Sequence, residues 1–142
     1  MRMTTTILAL AATILSVAGC SDSNAPTPAV AGRYGLVSVN DQPIMLTLVD
    51  TPTLKVTVTD GALTLRANST FTHELTLAVI ANGFPGPAQQ LSCGGTYSRS
   101  GNTLTMTGNE TEQCSGITAT GVLDGRTLTV SDDQGERLVF RR

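Results

Sequence analysis

Few side chains in this 142-residue sequence have the chemistry of a nucleophile, a metal ligand or an acid–base catalyst. The sequence has three cysteines, Cys20, Cys93 and Cys114, and one histidine, His73. A serine or cysteine nucleophile needs a base held beside it, and His73 is the only histidine in the chain. It falls in an alternating apolar row, which favours a histidine satisfied within a core over one that contacts a ligand. We therefore predict that the protein is not an enzyme.

The acidic residues do not indicate a catalytic or metal site either. Glu110 and Glu112, like Asp132 and Asp133, fall in predicted turns, where solvated carboxylates are common. Two cysteines and one histidine do not complete a structural zinc shell. The sequence also lacks the spacing of a phosphate-binding loop, a dinucleotide fingerprint or a calcium loop. We predict neither a metal nor a cofactor.

Cys20 stands at the end of a segment with the three parts of a secretory signal. A positively charged start precedes an apolar run from Ile7 to Val17, which is followed by small residues. The run is too short for a transmembrane helix, which needs about 20 residues. Val17-Ala18-Gly19-Cys20 resembles a bacterial lipobox, and this implies a signal peptide over residues 1–19 and lipidation of Cys20. A plain signal peptide with an incidental cysteine is the alternative.

Residues 20–31 are predicted to be a flexible tether, because Pro26-Thr27-Pro28 and its small neighbours cannot build a core. Ser21 rather than aspartate follows Cys20, which in lipoproteins favours the outer membrane. We therefore expect a chain anchored in the bacterial cell envelope, with the membrane as partner through N-terminal acyl chains such as palmitate. The formal charge of −2 and the lack of a basic run argue against nucleic acid as a partner.

Lipidation of Cys20 would leave Cys93 and Cys114 as a pair in a non-reducing compartment. An even number of cysteines in such a compartment favours a disulfide. The bridge would close a loop of about 20 residues and stabilise the fold by roughly 3 kcal/mol. Two free, buried cysteines are the alternative.

Residues 32–142 are predicted to be one all-β domain. Short runs of alternating apolar and polar residues are separated by turn signals, and threonine, valine and leucine are common. Asp60-Gly61, Ser100-Gly101-Asn102 and Asp124-Gly125 are predicted hairpin turns. The run from Ile44 to Val49 fits either a strand or a short helix. We predict an up-and-down antiparallel β-barrel of eight or nine strands, with a β-sandwich as the alternative.

The order of motifs in this domain resembles the bacterial lipocalin-like lipoproteins of the calycin group. The matching segments are Gly32-Arg33-Tyr34-Gly35-Leu36, Gly61 to Leu65 with Thr70-Phe71, Gly95-Thr96-Tyr97 with Gly101-Asn102, and Leu138 to Arg142. The chain departs from the pattern at Ala67-Asn68-Ser69-Thr70, where an Asp-Gly turn is commoner, and at Tyr34, where lipocalins have tryptophan. The resemblance implies that Arg141 or Arg142 covers the Tyr34 ring in a structural cation–π contact.

Binding is the function that remains after catalysis is set aside. An eight-stranded barrel is either filled by its own side chains or holds one small ligand. We expect Phe71, His73 and Tyr97 to line any such cavity, with Ile44–Val49 and Phe84–Pro87 edging its mouth. The expected function is that of an envelope lipoprotein that binds a small apolar ligand. A barrel that binds a protein partner, as an enzyme inhibitor or an envelope assembly partner, is the alternative.

Overall fold

The computed structural model describes residues 29–110 and 116–142. The predicted signal peptide, Cys20, most of the predicted tether and Cys114 lie outside the described residues. The described chain is all-β, as predicted. Its strands are β1 (Gly32–Val39), β2 (Gln42–Pro43), β3 (Thr47–Asp50), β4 (Leu54–Leu65), β5 (Thr70–Ala81), β6 (Phe84–Pro85), β7 (Gln89–Ser100), β8 (Thr103–Gly108), β9 (Thr118–Asp124), β10 (Thr127–Asp132) and β11 (Arg137–Arg141). Within these residues no helix is long and apolar enough to cross a bilayer.

Eight of the strands form a closed antiparallel barrel. Its order is β1, β4, β5, β7, β8, β9, β10 and β11, and β1 closes it by pairing with both β4 and β11. Each barrel strand lies beside the barrel strands that precede and follow it in the sequence, which confirms the up-and-down arrangement and excludes the β-sandwich. The short strands β2, β3 and β6 lie outside the closed path.

The predicted hairpin turn at Asp60-Gly61 is wrong, because β4 runs through it without reversing. The register against β5 shifts between Val58 and Asp60, which marks a β-bulge. A bulge and a two-residue hairpin both move the inward face from even-numbered to odd-numbered residues. Here Val58 faces inward before the bulge, and Leu63 and Leu65 face inward after it. The alternation of apolar residues therefore does change phase at this point in the sequence, but β4 continues in the same direction.

The predicted turns at Gly101 and Gly125 are confirmed, and both glycines have the positive φ angles that such turns require, 61° and 58°. The ambiguous run Ile44–Val49 ends in strand β3, which pairs with β4. Met45, just before it, has a φ of 81°, so no helix forms there. The segment Phe84–Pro87, expected at the mouth of the barrel, contains the two-residue strand β6, which pairs with the end of β5.

One half of the barrel is filled by its own side chains. Tyr34 at the start of β1, Leu65 at the end of β4, and Leu123 and Leu128 at the β9–β10 hairpin are all buried. The register brings these strand ends together, and we call this half the packed end. Leu104 of β8 is also completely buried in this core.

Candidate functional site

The other half of the barrel is hollow. A cavity of about 410 Å³ lies between β4, β5, β7, β8, β9, β10 and β11, and we call it the barrel cavity. Its volume lies at the lower end of the range of about 300–1,000 Å³ typical of ligand pockets. Apolar side chains make up most of its wall, among them Leu63, Phe71, Leu75, Met106, Leu138 and Phe140.

Phe71 and His73 both line the barrel cavity, where the sequence placed them. They face inward because they alternate along β5. Phe71 pairs with Gly95 of β7. A Cβ atom at Gly95 would overlap the Thr107 carbonyl oxygen and lie 2.7 Å from Phe71 Cε1. The glycine therefore lets the Phe71 ring lie directly against the wall formed by β7.

His73 is unsatisfied, which contradicts the expected satisfied core histidine. Its side chain makes no hydrogen bond with any residue in the described ranges, and its Nε2 atom is buried without a partner. Its ring meets the Phe140 ring edge to face, with the centroids 5.6 Å apart. Burial lowers the pKa of His73, although the neighbouring Glu74 carboxylate opposes this shift. The imidazole is therefore neutral near pH 7 and retains unused hydrogen-bonding capacity.

The polar part of the wall is acidic. Asp132 and Glu136 line the cavity beside Ser92. The Asp132 carboxylate also shapes the β10–β11 turn, because its Oδ1 accepts hydrogen bonds from the backbone N–H groups of Gln134 at 3.0 Å and Glu136 at 2.7 Å. Among the described residues that line the cavity there is no lysine or arginine. The wall therefore offers a bound molecule no positive charge.

Tyr97 does not line the cavity, contrary to expectation. It lies on β7 beyond Gly95, and its hydroxyl donates a hydrogen bond to the Arg66 carbonyl at 2.7 Å, beside the turn that joins β4 to β5. Alternation along β7 predicts an inward residue at this position, but cannot tell the packed end from the hollow one. The alternation therefore predicted that Tyr97 points into the barrel, but not which half of the barrel it occupies.

The expected mouth is also wrong. Neither Ile44–Val49 nor Phe84–Pro87 contributes to the cavity wall. Beyond Leu77, β5 no longer pairs with β7 and pairs only with β4 and β6. The ends of β4 and β5 thus extend past the barrel as a separate ribbon. Phe84, on β6, pairs with this ribbon.

Several lining residues were missed in the sequence. Leu91, Ser92 and Cys93 lie in the first half of β7, which begins at Gln89, before the Gly95-Thr96-Tyr97 motif that the sequence singled out. Leu91 pairs with Leu75 and Cys93 with His73. The apolar row on β5 is long, and a long strand needs an equally long partner. This length was the signal in the sequence that could have predicted the early start of β7.

The packed end contains the aromatic and the arginine that the resemblance implied. Arg142, not Arg141, lies over the Tyr34 ring, with Cζ 5.3 Å from the ring centroid. Arg142 Nη1 also donates to the Ala31 carbonyl at 3.3 Å, and the Tyr34 hydroxyl donates to the Val30 carbonyl at 2.7 Å. Burial raises the pKa of Tyr34, with the Arg142 guanidinium opposing the shift. These contacts join the N-terminal end of β1 to the C-terminus.

Two further predictions concern thiols and metals. Cys93 lies on β7 and lines the cavity, whereas Cys114 lies outside the described residues, so their pairing stays a prediction. Across residues 29–110 and 116–142, no three histidine, cysteine, aspartate or glutamate side chains are grouped in a way that could hold a metal ion.

The fold defines the class of protein that this chain represents. It is a closed, eight-stranded antiparallel β-barrel with one filled half and one hollow half, consistent with a calycin-like fold. No protein-family model matches the sequence, and no curated protein matches it.

Proposed function

We propose that this protein is a lipid-anchored, lipocalin-like lipoprotein of the bacterial cell envelope, and that its barrel binds a small apolar molecule without transforming it. The observation that carries the proposal is the barrel cavity, with a volume of about 410 Å³ and a mainly apolar wall. Moving apolar surface from water into such a cavity is favourable by about 25 cal/mol per Å². The cavity therefore favours an apolar guest.

The anchor belongs to the proposal on the strength of Val17-Ala18-Gly19-Cys20. Residues 20–31 would join the acylated cysteine to β1. Because β1 begins at the packed end, the hollow half would lie at the far side of the barrel from the tether. The mouth would then be accessible from the aqueous compartment. Retention in the outer membrane remains a proposal that rests on Ser21.

Two measurements on the chain expressed in a bacterial host test this function. Intact-mass analysis of the membrane fraction should show a mature chain that begins at Cys20 and carries acyl chains, and a Cys20→Ala variant should lose them. Organic extraction of the purified wild-type protein should release a small apolar molecule in stoichiometric amount. A soluble, unacylated chain would contradict the anchor. Failure to bind any added apolar ligand would contradict the binding function.

A protein-binding role is the second candidate, because the ribbon beyond the barrel exposes apolar side chains. Phe84 is 76% exposed, and Ile80 and Leu54 on the same ribbon are 38% and 37% exposed. Exposed apolar patches often mark protein contacts. Crosslinking in intact cells should give an adduct of defined mass that Phe84→Ser abolishes. Val122→Ser, at an exposed valine on the outer face of β9, is the matched control and should leave the adduct unchanged.

A further inference from the structure

We propose that the barrel cavity selects uncharged apolar molecules that carry one hydroxyl or carbonyl group, that this group hydrogen-bonds to the imidazole of His73, and that carboxylates are rejected. This inference rests on the proposed function and deepens it, because it names the chemical class of the ligand. It assigns His73 as a binding residue.

The His73 side chain has unused hydrogen-bonding capacity. Its side chain lines the cavity and makes no hydrogen bond in the described part of the chain, and its Nε2 atom is shielded from water as well. Buried polar atoms are nearly always paired, and an exception calls for an explanation. Nε2 is covered by the protein, so a ligand reaches it only when the imidazole ring turns towards the cavity. A polar group on a ligand that fills the cavity would then supply the missing partner. A neutral imidazole has one donor and one acceptor nitrogen, so both hydroxyl and carbonyl groups are suitable.

The charge around the cavity acts against an anionic ligand. The carboxylates of Asp132 and Glu136 lie in the wall, and no arginine or lysine among the described residues lines it. Glu74, next to His73 in the chain, pairs with Arg33 at 3.1 Å, so Arg33 already has a partner. A ligand carboxylate would lose its hydration without gaining a counter-ion, which is costly. The cavity therefore disfavours fatty acids and favours their neutral analogues.

One buried polar group is enough for selectivity. A site that is built to hydrogen-bond a ligand group discriminates against an analogue that lacks it, because the group in the site is then left unpaired. The wall around His73 includes Phe71, Leu75 and Phe140, which do not form hydrogen bonds through their side chains, and Cys93 on the paired strand, whose sulfur is a weak hydrogen-bonding group. Selection between neutral ligands should therefore depend on this residue.

Because His73 is the only histidine, nuclear magnetic resonance offers a direct test. The full chain, labelled with ¹⁵N-histidine in lipid nanodiscs, is titrated with decan-1-ol, decanoate and decane, with empty nanodiscs as the blank. We expect decan-1-ol to shift the imidazole ¹⁵N resonances towards hydrogen-bonded values. Decane should bind without that shift. Decanoate should bind at least about tenfold more weakly than decan-1-ol, because burying an unpaired carboxylate costs more than the about 1.4 kcal/mol that a tenfold ratio represents.

Substitutions then separate the effect of the His73 hydrogen bond from the effect of the charge in the cavity wall. His73→Leu should lower the preference for decan-1-ol over decane by roughly fivefold to tenfold, the size expected for one hydrogen bond, and His73→Gln should restore part of it. Glu136→Gln should tighten decanoate binding more than decan-1-ol binding and so narrow the ratio of the two affinities. Asp124→Asn removes the same charge at the packed end, where Asp124 is exposed, and is the matched control.

The outcomes distinguish this inference from the proposed function. Equal or tighter binding of decanoate, or an unchanged preference in a folded His73→Leu variant, would overturn the selectivity and leave apolar binding intact. If none of the three ligands binds, the proposed binding function fails as well. Circular dichroism and thermal melting of each variant establish that it is folded before its affinities are compared.

Discussion

At the scale of single residues, His73 links the stability of the barrel to its site. Its neutral form is favoured in the folded state, because burial lowers its pKa. In the unfolded chain a histidine has an ordinary pKa of about 6.5. The folded state therefore binds fewer protons than the unfolded state when the pH falls through that value. The contribution of the neutral imidazole to the unfolding free energy is fully present above about pH 6.5. It is lost as the pH falls from that value towards the pKa of His73 in the folded protein.

This pH dependence predicts a difference between wild type and His73→Leu. Urea unfolding at pH 7.5 and pH 5.0 should show a larger loss of unfolding free energy for wild type than for the variant. All other side chains are the same in the two proteins, so the difference between the two losses reports on His73. Equal losses in the two proteins would show that His73 does not titrate in this way.

The Tyr34–Arg142 contact gives a second prediction at residue scale. Arg142→Ala removes the cation–π contact at 5.3 Å and the hydrogen bond to Ala31, and should lower the unfolding free energy by about 1–2 kcal/mol. Arg141→Ala is the matched control, because Arg141 is exposed on the other face of β11, and should change it by less than about 0.5 kcal/mol. Chemical unfolding of both variants measures this. Similar losses in the two would contradict a specific role for Arg142.

At the scale of elements, the phase of the apolar pattern was more predictable than the path of the chain. The change of phase at Asp60-Gly61 was visible in the sequence, yet a bulge and a hairpin produce the same change. What distinguishes them is the partner strand, and β5 continues beside β4 on both sides of the bulge. The turns at Gly101 and Gly125 were predictable because their positive φ angles favour glycine itself.

The contact between β5 and β7 gives the prediction at this scale. Gly95→Ala should lower the unfolding free energy by about 1–3 kcal/mol, because a methyl group has no space between the Thr107 carbonyl and the Phe71 ring. Gly35→Ala is the matched control within a strand, since its added Cβ would meet only the Arg141 carbonyl oxygen at an ordinary 3.8 Å. Thermal melting of both variants tests the contrast. A Gly95→Ala protein as stable as wild type would show that Phe71 moves aside at little cost.

At the scale of the whole molecule, the barrel was predictable but its interior was not. Alternation along the strands identifies the inward face, and sequential hairpins predict the closed meander. Whether an inward residue fills the barrel or lines a cavity depends on its height along the barrel axis. That height is determined by the combined register of all eight strands. This is why Phe71 and His73 were assigned correctly to the wall while Tyr97 was not. It is also why Asp132 and Glu136, which look like ordinary turn residues in the sequence, were missed.

Filling the cavity tests the central claim most directly. Ala119 is a buried cavity-lining residue on β9, and Thr118 beside it is exposed on the outer face. Titration of the full chain with the neutral apolar dye N-phenyl-1-naphthylamine should give saturable binding to wild type and to Thr118→Phe. We expect Ala119→Phe, folded by circular dichroism, to bind the dye at least about tenfold more weakly, because the added ring occupies the space the dye would enter. Unchanged dye binding by a folded Ala119→Phe protein would contradict a ligand site inside the barrel.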